Sequence, residues 1–156
     1  MGLLGFYFSP VGRIGRRWFW LGFIGLALIE AAFNYWLASA LFGHDWFDPQ
    51  TGTIAKPARQ LILLVNLIFL FPFFVVLARR FHDRGKGAIW TVPFLVTFAA
   101  LVVADIFNPA QQDFSNPLIL ALGLIYIAVF LWIVVELGCL KGSQGANRFG
   151  PDPLAR

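Results

Sequence analysis

Four long apolar runs, separated by short polar stretches, dominate the sequence. They cover about residues 18–42, 61–78, 88–107 and 117–140. As α-helices, which rise about 1.5 Å per residue, these runs are long enough to cross a hydrocarbon core of about 30 Å. The pattern therefore predicts an all-α polytopic membrane protein with four transmembrane helices, followed by a polar tail at residues 141–156.

The first 17 residues are predicted to form a short interfacial segment. Ser9 followed by Pro10 fits the N-cap and first position of a short helix at the membrane surface. That helix would carry Arg13, Arg16 and Arg17 on one face. The segment also resembles an export signal, but the apolar run that follows is long for a signal and contains an acidic residue, so we expect a membrane span instead.

Composition agrees with this class. Of the 156 residues, 59% are hydrophobic and 13% are charged, and the mean hydropathy is +0.74, far from an average soluble domain. The single cysteine, Cys139, excludes an intramolecular disulfide and a multi-cysteine metal site. Two histidines are too few for a His-rich metal site. We therefore expect no metal and no other cofactor.

Lys and Arg are distributed unequally between the two ends of the predicted spans. Four crossings place the N terminus, the connection between spans two and three, and the tail on one side. Because cytoplasmic loops are enriched in Lys and Arg, that side is predicted to be cytoplasmic, with both termini inside. The formal charge of +4 then fits anionic phospholipid, and no nucleic-acid partner is expected. The ten cations on that side are Arg13, Arg16, Arg17, Arg79, Arg80, Arg84, Lys86, Lys141, Arg148 and Arg156, against Lys56 and Arg59 on the other.

Three polar motifs fall on this side. They read Gly-Arg-Ile-Gly-Arg-Arg-Trp-Phe-Trp at 12–20, Ala-Arg-Arg-Phe-His-Asp-Arg-Gly at 78–85, and Gly-Ala-Asn-Arg-Phe-Gly-Pro-Asp-Pro at 145–153. Together they resemble the DUF805 family of bacterial inner-membrane proteins, although Gly15 stands where that family often has a small hydroxyl residue. The resemblance implies one membrane domain over residues 1–156 in the bacterial inner membrane. It supplies no catalytic residues, because the family's function is unknown.

The motifs define a candidate cluster of polar side chains. For any single arginine, the favoured alternative is an ordinary positive rim whose side chains snorkel independently to the headgroups. A His-Asp pair and an Asn-Arg-Asp tail are not needed to orient helices, however. We therefore predict a structured cluster in which Asp83 and Asp152 neutralise arginines and fasten the tail. Its members are Arg13, Arg16, Arg17, Arg79, Arg80, His82, Asp83, Asn147, Arg148 and Asp152.

Glu136 offers a test of this geometry. Counted from the start of span four, it lies ~27 Å along the helix, at the depth of the predicted cytoplasmic headgroups. An ionised carboxylate at that depth needs a cation, and Arg79 and Arg80 are the closest by depth. We therefore predict that Glu136 pairs with one of these two arginines.

Glu30 lies near the middle of span one, with Asn34 one turn further along the same face. An intramembrane acid raises the hypothesis of a proton or cation pathway. In the alternative interpretation, the Glu30 carboxyl is protonated or hydrogen-bonded and fixes helix packing through Asn66 of span two. The sequence leaves both interpretations open.

Three functions follow from these features. The first is a non-enzymatic module whose basic cluster binds anionic lipid headgroups or an acidic partner protein, because guanidinium groups make paired hydrogen bonds to phosphate oxygens. The second is a small transporter or channel subunit that uses Glu30. The third is an enzyme that acts on lipid phosphates through His82 and Asp83, although the sequence contains no hydrolase motif and no complete phosphate-binding loop. A homo-oligomer is compatible with all three.

Overall fold

Four long helices occupy the four apolar runs in the computed structural model, which describes residues 2–51, 53–107 and 116–154. A 3-10 turn at Ala88–Thr91 leads into the third of them, and a π-helix at Val134–Cys139 continues the fourth. Among the residues described, four helices are long and apolar enough to cross a membrane, which confirms the predicted class and its four spans. The elements are α1 (Leu3–Phe8), α2 (Arg16–Phe42), β1 (Phe47–Asp48), β2 (Thr53–Ile54), α3 (Lys56–Asp83), α4 (Val92–Phe107) and α5 (Pro117–Ile133).

Local signals explain where two of the spans end and begin. Gly43 follows α2 with a positive φ of 70°, and its N–H donates to the Ser39 carbonyl at 3.0 Å. At the start of α5, the Asn116 side chain accepts a hydrogen bond from the Leu118 N–H at 3.0 Å. Pro117 occupies the first helical position, where a missing N–H costs nothing.

The N-terminal segment differs from its prediction. Helix α1 lies earlier than the predicted helix, residues 9–15 are not helical, and α2 begins at Arg16. Gly12 has a φ of 93°, a left-handed conformation that glycine adopts readily and that interrupts a right-handed helix. The prediction that Arg13, Arg16 and Arg17 share one helix face is therefore wrong: Arg13 is buried, whereas the other two are exposed.

The C-terminal part of α3 is the centre of packing. All nine residues from Val75 to Asp83 are buried. Helix α3 packs against α1, α2, α4, the 3-10 turn and the π-helix. Its Phe81 joins a hydrophobic core that includes Phe19 of α2 and Leu137 of the π-helix. Over the rest of their length the spans expose large apolar side chains, as a lipid-facing surface requires.

At the opposite end of the bundle, the described residues form a short β-ladder and an ion pair between helices. Strands β1 and β2 form a two-stranded antiparallel ladder in the connection between α2 and α3. Near the start of α3, the Nε of Arg59 donates to Oδ2 of Asp105 in α4 at 2.9 Å. The two side chains are 13% and 37% exposed, so this ion pair is partly open to its surroundings.

A small polar contact joins α2 and α3 within the membrane-spanning part. The side-chain amides of Asn34 and Asn66 are hydrogen-bonded at 2.9 Å. The end of the Asn66 amide that meets Asn34 also lies 3.2 Å from Oε1 of Glu30 and 3.0 Å from the Ile62 carbonyl oxygen. With the amide nitrogen at this end, Asn66 donates to Glu30. The structure thus brings Glu30, Asn34 and Asn66 together between two helices.

Candidate functional site

A buried group of three charged side chains lies where the N-terminal segment, the end of α3 and the tail meet. Oδ1 of Asp83 accepts hydrogen bonds from Nε and Nη2 of Arg13 at 3.2 and 3.0 Å. Oδ2 of Asp83 accepts one from Nη1 of Arg80. Asp83, Arg13 and Arg80 are 3%, 7% and 0% exposed. We call these residues the triad; two cations share one carboxylate, so the triad carries a net positive charge.

Arg80 also closes the end of the fourth span. Its Nε donates to the Leu137 carbonyl at 2.7 Å and its Nη2 to the Leu140 carbonyl at 2.6 Å. The last carbonyls of a helix lack hydrogen-bond donors within that helix, and here the Arg80 guanidinium supplies those donors. The Leu140 N–H bonds the Val135 carbonyl five residues earlier, the spacing of a π-helix. Arg80 therefore joins α3 to the fourth span while it pairs with Asp83.

Arg13 fastens the tail. Its Nη1 donates to the Gly145 carbonyl at 2.7 Å and to the Gly150 carbonyl at 3.3 Å. Its Nη2 donates to the Ser143 carbonyl at 2.7 Å. Ser143 in turn donates to the Asp83 carbonyl from its N–H at 2.8 Å and from its hydroxyl at 3.0 Å. The three sequence motifs thus meet at one end of the bundle, which we call the arginine-rich end.

His82 and Asn147 add a second link between α3 and the tail. The His82 ring stacks on the Phe149 ring with a centroid distance of 4.0 Å and an interplanar angle of 6°. Nδ1 of His82 lies 3.2 Å from the Gly12 carbonyl and donates to it. Nδ2 of Asn147 donates to the His82 carbonyl at 3.0 Å. Because the His82 and Asp83 side chains bind different groups, they do not form a hydrogen-bonded acid-base pair.

Asp152 does not take the role predicted for it. Its carboxylate accepts hydrogen bonds from the backbone N–H groups of Leu154 and Gly145 at 2.9 and 3.0 Å. These two bonds, with the Leu154 N–H as the larger cause, lower the pKa of Asp152 below its usual value. Within residues 116–154 and the other described ranges, no arginine lies within 4 Å of this carboxylate. Asp152 thus shapes the tail, whereas Asp83 is the carboxylate that contacts the buried Arg13 and Arg80 within the described residues.

The prediction that Glu136 pairs with Arg79 or Arg80 is wrong. Oε1 of Glu136 lies 3.2 Å from Nε of Arg84 and 2.8 Å from Nζ of Lys86. Arg80 is instead held by the triad and by the end of the fourth span. Arg79 contacts helix α1, where its guanidinium lies 5.3 Å from the ring centroid of Phe6 and donates to the Phe6 carbonyl at 3.2 Å. Glu136 thus pairs with cations, as expected of an ionised carboxylate, but with two that follow α3 and not with the two predicted within it.

The remaining predicted cations lie at the surface. Arg17 is exposed, and Arg148 is exposed with its guanidinium 4.7 Å from the ring centroid of Phe149. Arg16 is exposed and donates to the Cys139 carbonyl at 3.1 Å. These side chains fit a positive rim, whereas the buried Arg13 and Arg80 do not. Arg156, a tenth predicted cation of this end, lies outside the described residues.

A cavity of about 280 Å³ adjoins the triad. Its lining includes Arg16, Arg80, Asp83, Lys141 and Ser143. Sequence analysis had missed Ser143, because a single serine after a span carries no chemical signature. No group of three or more His, Cys, Asp or Glu side chains in the described parts of the chain is placed to hold a metal ion. The cavity lining itself offers charged groups and hydrogen-bond donors.

Gly142 was also missed by sequence analysis. A Cβ atom built on it would collide with the Asp83 carboxylate, although its backbone conformation is open to other residues. The glycine therefore lets the tail pass directly over the triad. A glycine immediately after a span is a common feature of helix ends, so the sequence did not distinguish this one.

We predict that Asp83→Asn destabilises the protein by about 3–5 kcal/mol, because it leaves two buried arginines without a counter-charge. Asp105→Asn, which removes the partly exposed partner of Arg59, is the matched control and should cost about 1 kcal/mol or less. Unfolding in detergent micelles, followed by circular dichroism as SDS is added, measures both. Equal losses in the two variants would contradict a special role for the triad.

We predict that Gly142→Ala costs about 1–3 kcal/mol, since its methyl group displaces a carboxylate that two arginines hold in place. It should also loosen the tail and speed tryptic cleavage at Arg148. Gly87→Ala is the control, because a Cβ at Gly87 meets no atom within 4 Å. The same micelle unfolding assay and a timed trypsin digest provide the comparison. A tail as resistant in Gly142→Ala as in Gly87→Ala would show that Asp83 moves aside freely.

Comparisons with known proteins agree with the three motifs. The profile of the family described as "Protein of unknown function (DUF805)" matches residues 7–151. The chain is 30% identical to "Uncharacterized protein YiiR" of Escherichia coli strain K12 over 154 residues. That alignment covers 93% of this chain and 86% of the relative. The chain is also 26% identical to "Inner membrane protein YhaH" of the same strain over 143 residues. That alignment covers 91% of this chain and 84% of the relative. No solved structure matches the chain significantly. This four-span membrane protein therefore belongs to the DUF805 family.

Proposed function

We propose that this protein resides in the bacterial inner membrane with its arginine-rich end in the cytoplasm. There it binds anionic lipid headgroups through exposed cations, without catalysing a reaction. The relative named as an inner membrane protein supports the location. The unequal distribution of cations supports the orientation, because Lys and Arg are retained on the cytoplasmic side.

The charges of the two ends differ strongly. At the opposite end, the described residues contribute Lys56 and Arg59 against Asp45, Asp48 and Asp105. The arginine-rich end therefore carries a large positive excess, which attracts anionic headgroups at the cytoplasmic leaflet. Its nine described cations are Arg13, Arg16, Arg17, Arg79, Arg80, Arg84, Lys86, Lys141 and Arg148, against the carboxylates of Asp83, Glu136 and Asp152.

The division of these cations into a set paired with carboxylates and an exposed set carries the proposal. Arg13, Arg80, Arg84 and Lys86 lie within 4 Å of a carboxylate. A second set is exposed, and within the described residues none of its members lies within 4 Å of a carboxylate. This exposed set is therefore available to anionic headgroups. The exposed set consists of Arg16, Arg17, Lys141 and Arg148.

The two other functions raised by the sequence find less support. Glu30 meets the Asn66 amide in the α2–α3 contact, which is the arrangement expected if it fixes helix packing. The side chains of His82 and Asp83 bind separate backbone and side-chain groups. An acidic partner protein and a homo-oligomer stay predictions from the sequence.

We predict that Arg17→Gln and Arg148→Gln each weaken binding of phosphatidylglycerol roughly five-fold, the equivalent of about 1 kcal/mol per cation near an anionic surface. Phosphatidylcholine binding should not change. Native mass spectrometry with each lipid added to the detergent-solubilised protein gives both affinities. Lys56→Gln, an exposed cation at the opposite end, serves as the control. If all three variants retain phosphatidylglycerol equally, the exposed set does not bind headgroups.

We predict that the arginine-rich end faces the cytoplasm. In a Cys139→Ser background, Gln144→Cys places a thiol on the tail and Gln50→Cys places one at the opposite end. In intact spheroplasts, a membrane-impermeant maleimide should label the second variant and spare the first. After permeabilisation it should label both. Labelling of Gln144→Cys in sealed cells would reverse the orientation and remove the link to cytoplasmic lipid.

A further inference from the structure

We propose that the cavity beside the triad is a discrete site for a terminal phosphate group, meaning a phosphate monoester or free phosphate. The ligand expected there in the cell, a lipid whose headgroup ends in such a phosphate, rests on the proposed function. The site itself follows from the charges, the donors and the size of the cavity.

The charges around the cavity leave an unbalanced positive excess. Arg16, Arg80 and Lys141 line it together with two carboxylates. One of these, Asp83, is already shared by Arg80 and by Arg13, which lies behind it. The other lining carboxylate belongs to Asp152, and two backbone N–H groups favour its ionised form. Counted with Arg13, four cations therefore face two carboxylates, and this positive excess favours an incoming anion.

Hydrogen-bond donors remain for such an anion. A guanidinium has five N–H hydrogens, and the three bonds of Arg80 to protein acceptors use three of them. Arg16 uses Nη1 for the Cys139 carbonyl and has further N–H groups on Nε and Nη2. Planar guanidinium groups match the oxygen spacing of phosphate, and the Lys141 ammonium adds a point charge. Arg16 and Lys141 are exposed, so their donors can be reached from outside, whereas the Arg80 side chain is 1% exposed and contributes mainly a fixed charge.

Charge favours a terminal phosphate over a phosphodiester headgroup. At about 280 Å³, the cavity has ample room for a phosphate group. A phosphate monoester carries a charge of about −1.5 to −2 near neutral pH and presents three free oxygens, whereas a diester has one charge. The surplus charge and the remaining donors suit the monoester better.

The test compares lipids that differ in phosphate type. Phosphatidic acid carries a terminal phosphate and phosphatidylglycerol a diester; each is titrated into the detergent-solubilised protein and followed by native mass spectrometry. Inorganic phosphate is titrated separately by calorimetry to identify a soluble ligand. We expect one phosphatidic acid to bind per chain, at least about ten-fold more tightly than phosphatidylglycerol, since hydrogen bonds to charged groups are strong. Equal affinity for the two lipids, together with no binding of inorganic phosphate, would overturn the proposal.

Two variants at the mouth of the cavity keep the triad intact. Lys141→Gln removes a lining cation, and Gln144→Glu introduces a carboxylate with almost no change of shape. Both should abolish the preference for phosphatidic acid, whereas Arg148→Gln removes the same charge outside the lining and should preserve it. Equal effects of Lys141→Gln and Arg148→Gln would indicate diffuse attraction and would refute a discrete site.

The outcomes separate this site from the proposed function. Phosphatidylglycerol binding that depends on Arg17 and Arg148, without preference for phosphatidic acid and without binding of inorganic phosphate, supports the lipid-binding function and refutes the phosphate site. Binding of inorganic phosphate that is lost in Lys141→Gln, without preference for any anionic lipid, supports the site and refutes lipid as its ligand. Binding of neither phosphate nor phosphatidic acid refutes the site.

Discussion

The carboxylate of Asp83 is the point on which the arginine-rich end depends. Two arginines from separate parts of the chain reach it, and each also binds backbone carbonyls that Asp83 does not touch. Arg13 extends the contact to the tail, and Arg80 extends it to the end of the fourth span. One buried acid therefore determines the relative positions of four segments. In a membrane, two apolar helix surfaces gain little free energy by contacting each other instead of lipid. Polar contacts such as these therefore contribute strongly to how the helices pack.

Only guanidinium groups can make these contacts. Arg13 and Arg80 each bind a carboxylate oxygen and at least two carbonyls with donors that diverge from one planar group, which a lysine ammonium on its flexible stem would not reproduce. The π-helix at the end of the fourth span contributes the acceptors, because its last carbonyls are free to turn toward α3. Gly142 completes the arrangement, since any side chain there would occupy the space of the Asp83 carboxylate. The packing of this end thus requires particular residues and not merely a positive charge.

The spans and the meeting of the three motifs could be predicted from the sequence, because hydropathy is local and an even number of crossings returns the chain to the same side. The sequence also predicted that Asp83 neutralises arginines, but it did not identify which ones. The position of Glu136 along its helix gives its depth, but its partner depends on rotation about the helix axis, which turned it toward Arg84 and Lys86. Arg13 was assigned to a helix that does not form, since Gly12 adopts a left-handed conformation there. Gly142 has no side chain that could indicate a role in the sequence. Its close approach to Asp83 is therefore evident only from the structure.

The separation of buried from exposed cations links this packing to the proposed binding of anionic headgroups. If all nine cations were mobile rim residues, each would reach headgroups independently and the end would behave as a diffuse positive surface. Burial of Arg13 and Arg80 instead fixes two positive charges beside one negative charge, at a distance from bulk water where screening by salt is weak. The exposed Arg16 and Lys141 are then placed around that fixed excess by the same segments that the triad holds together. In the site that we propose, an anion held by these exposed donors also interacts with the fixed charge of the triad, so the order imposed by Asp83 would give a general attraction for anions a defined position.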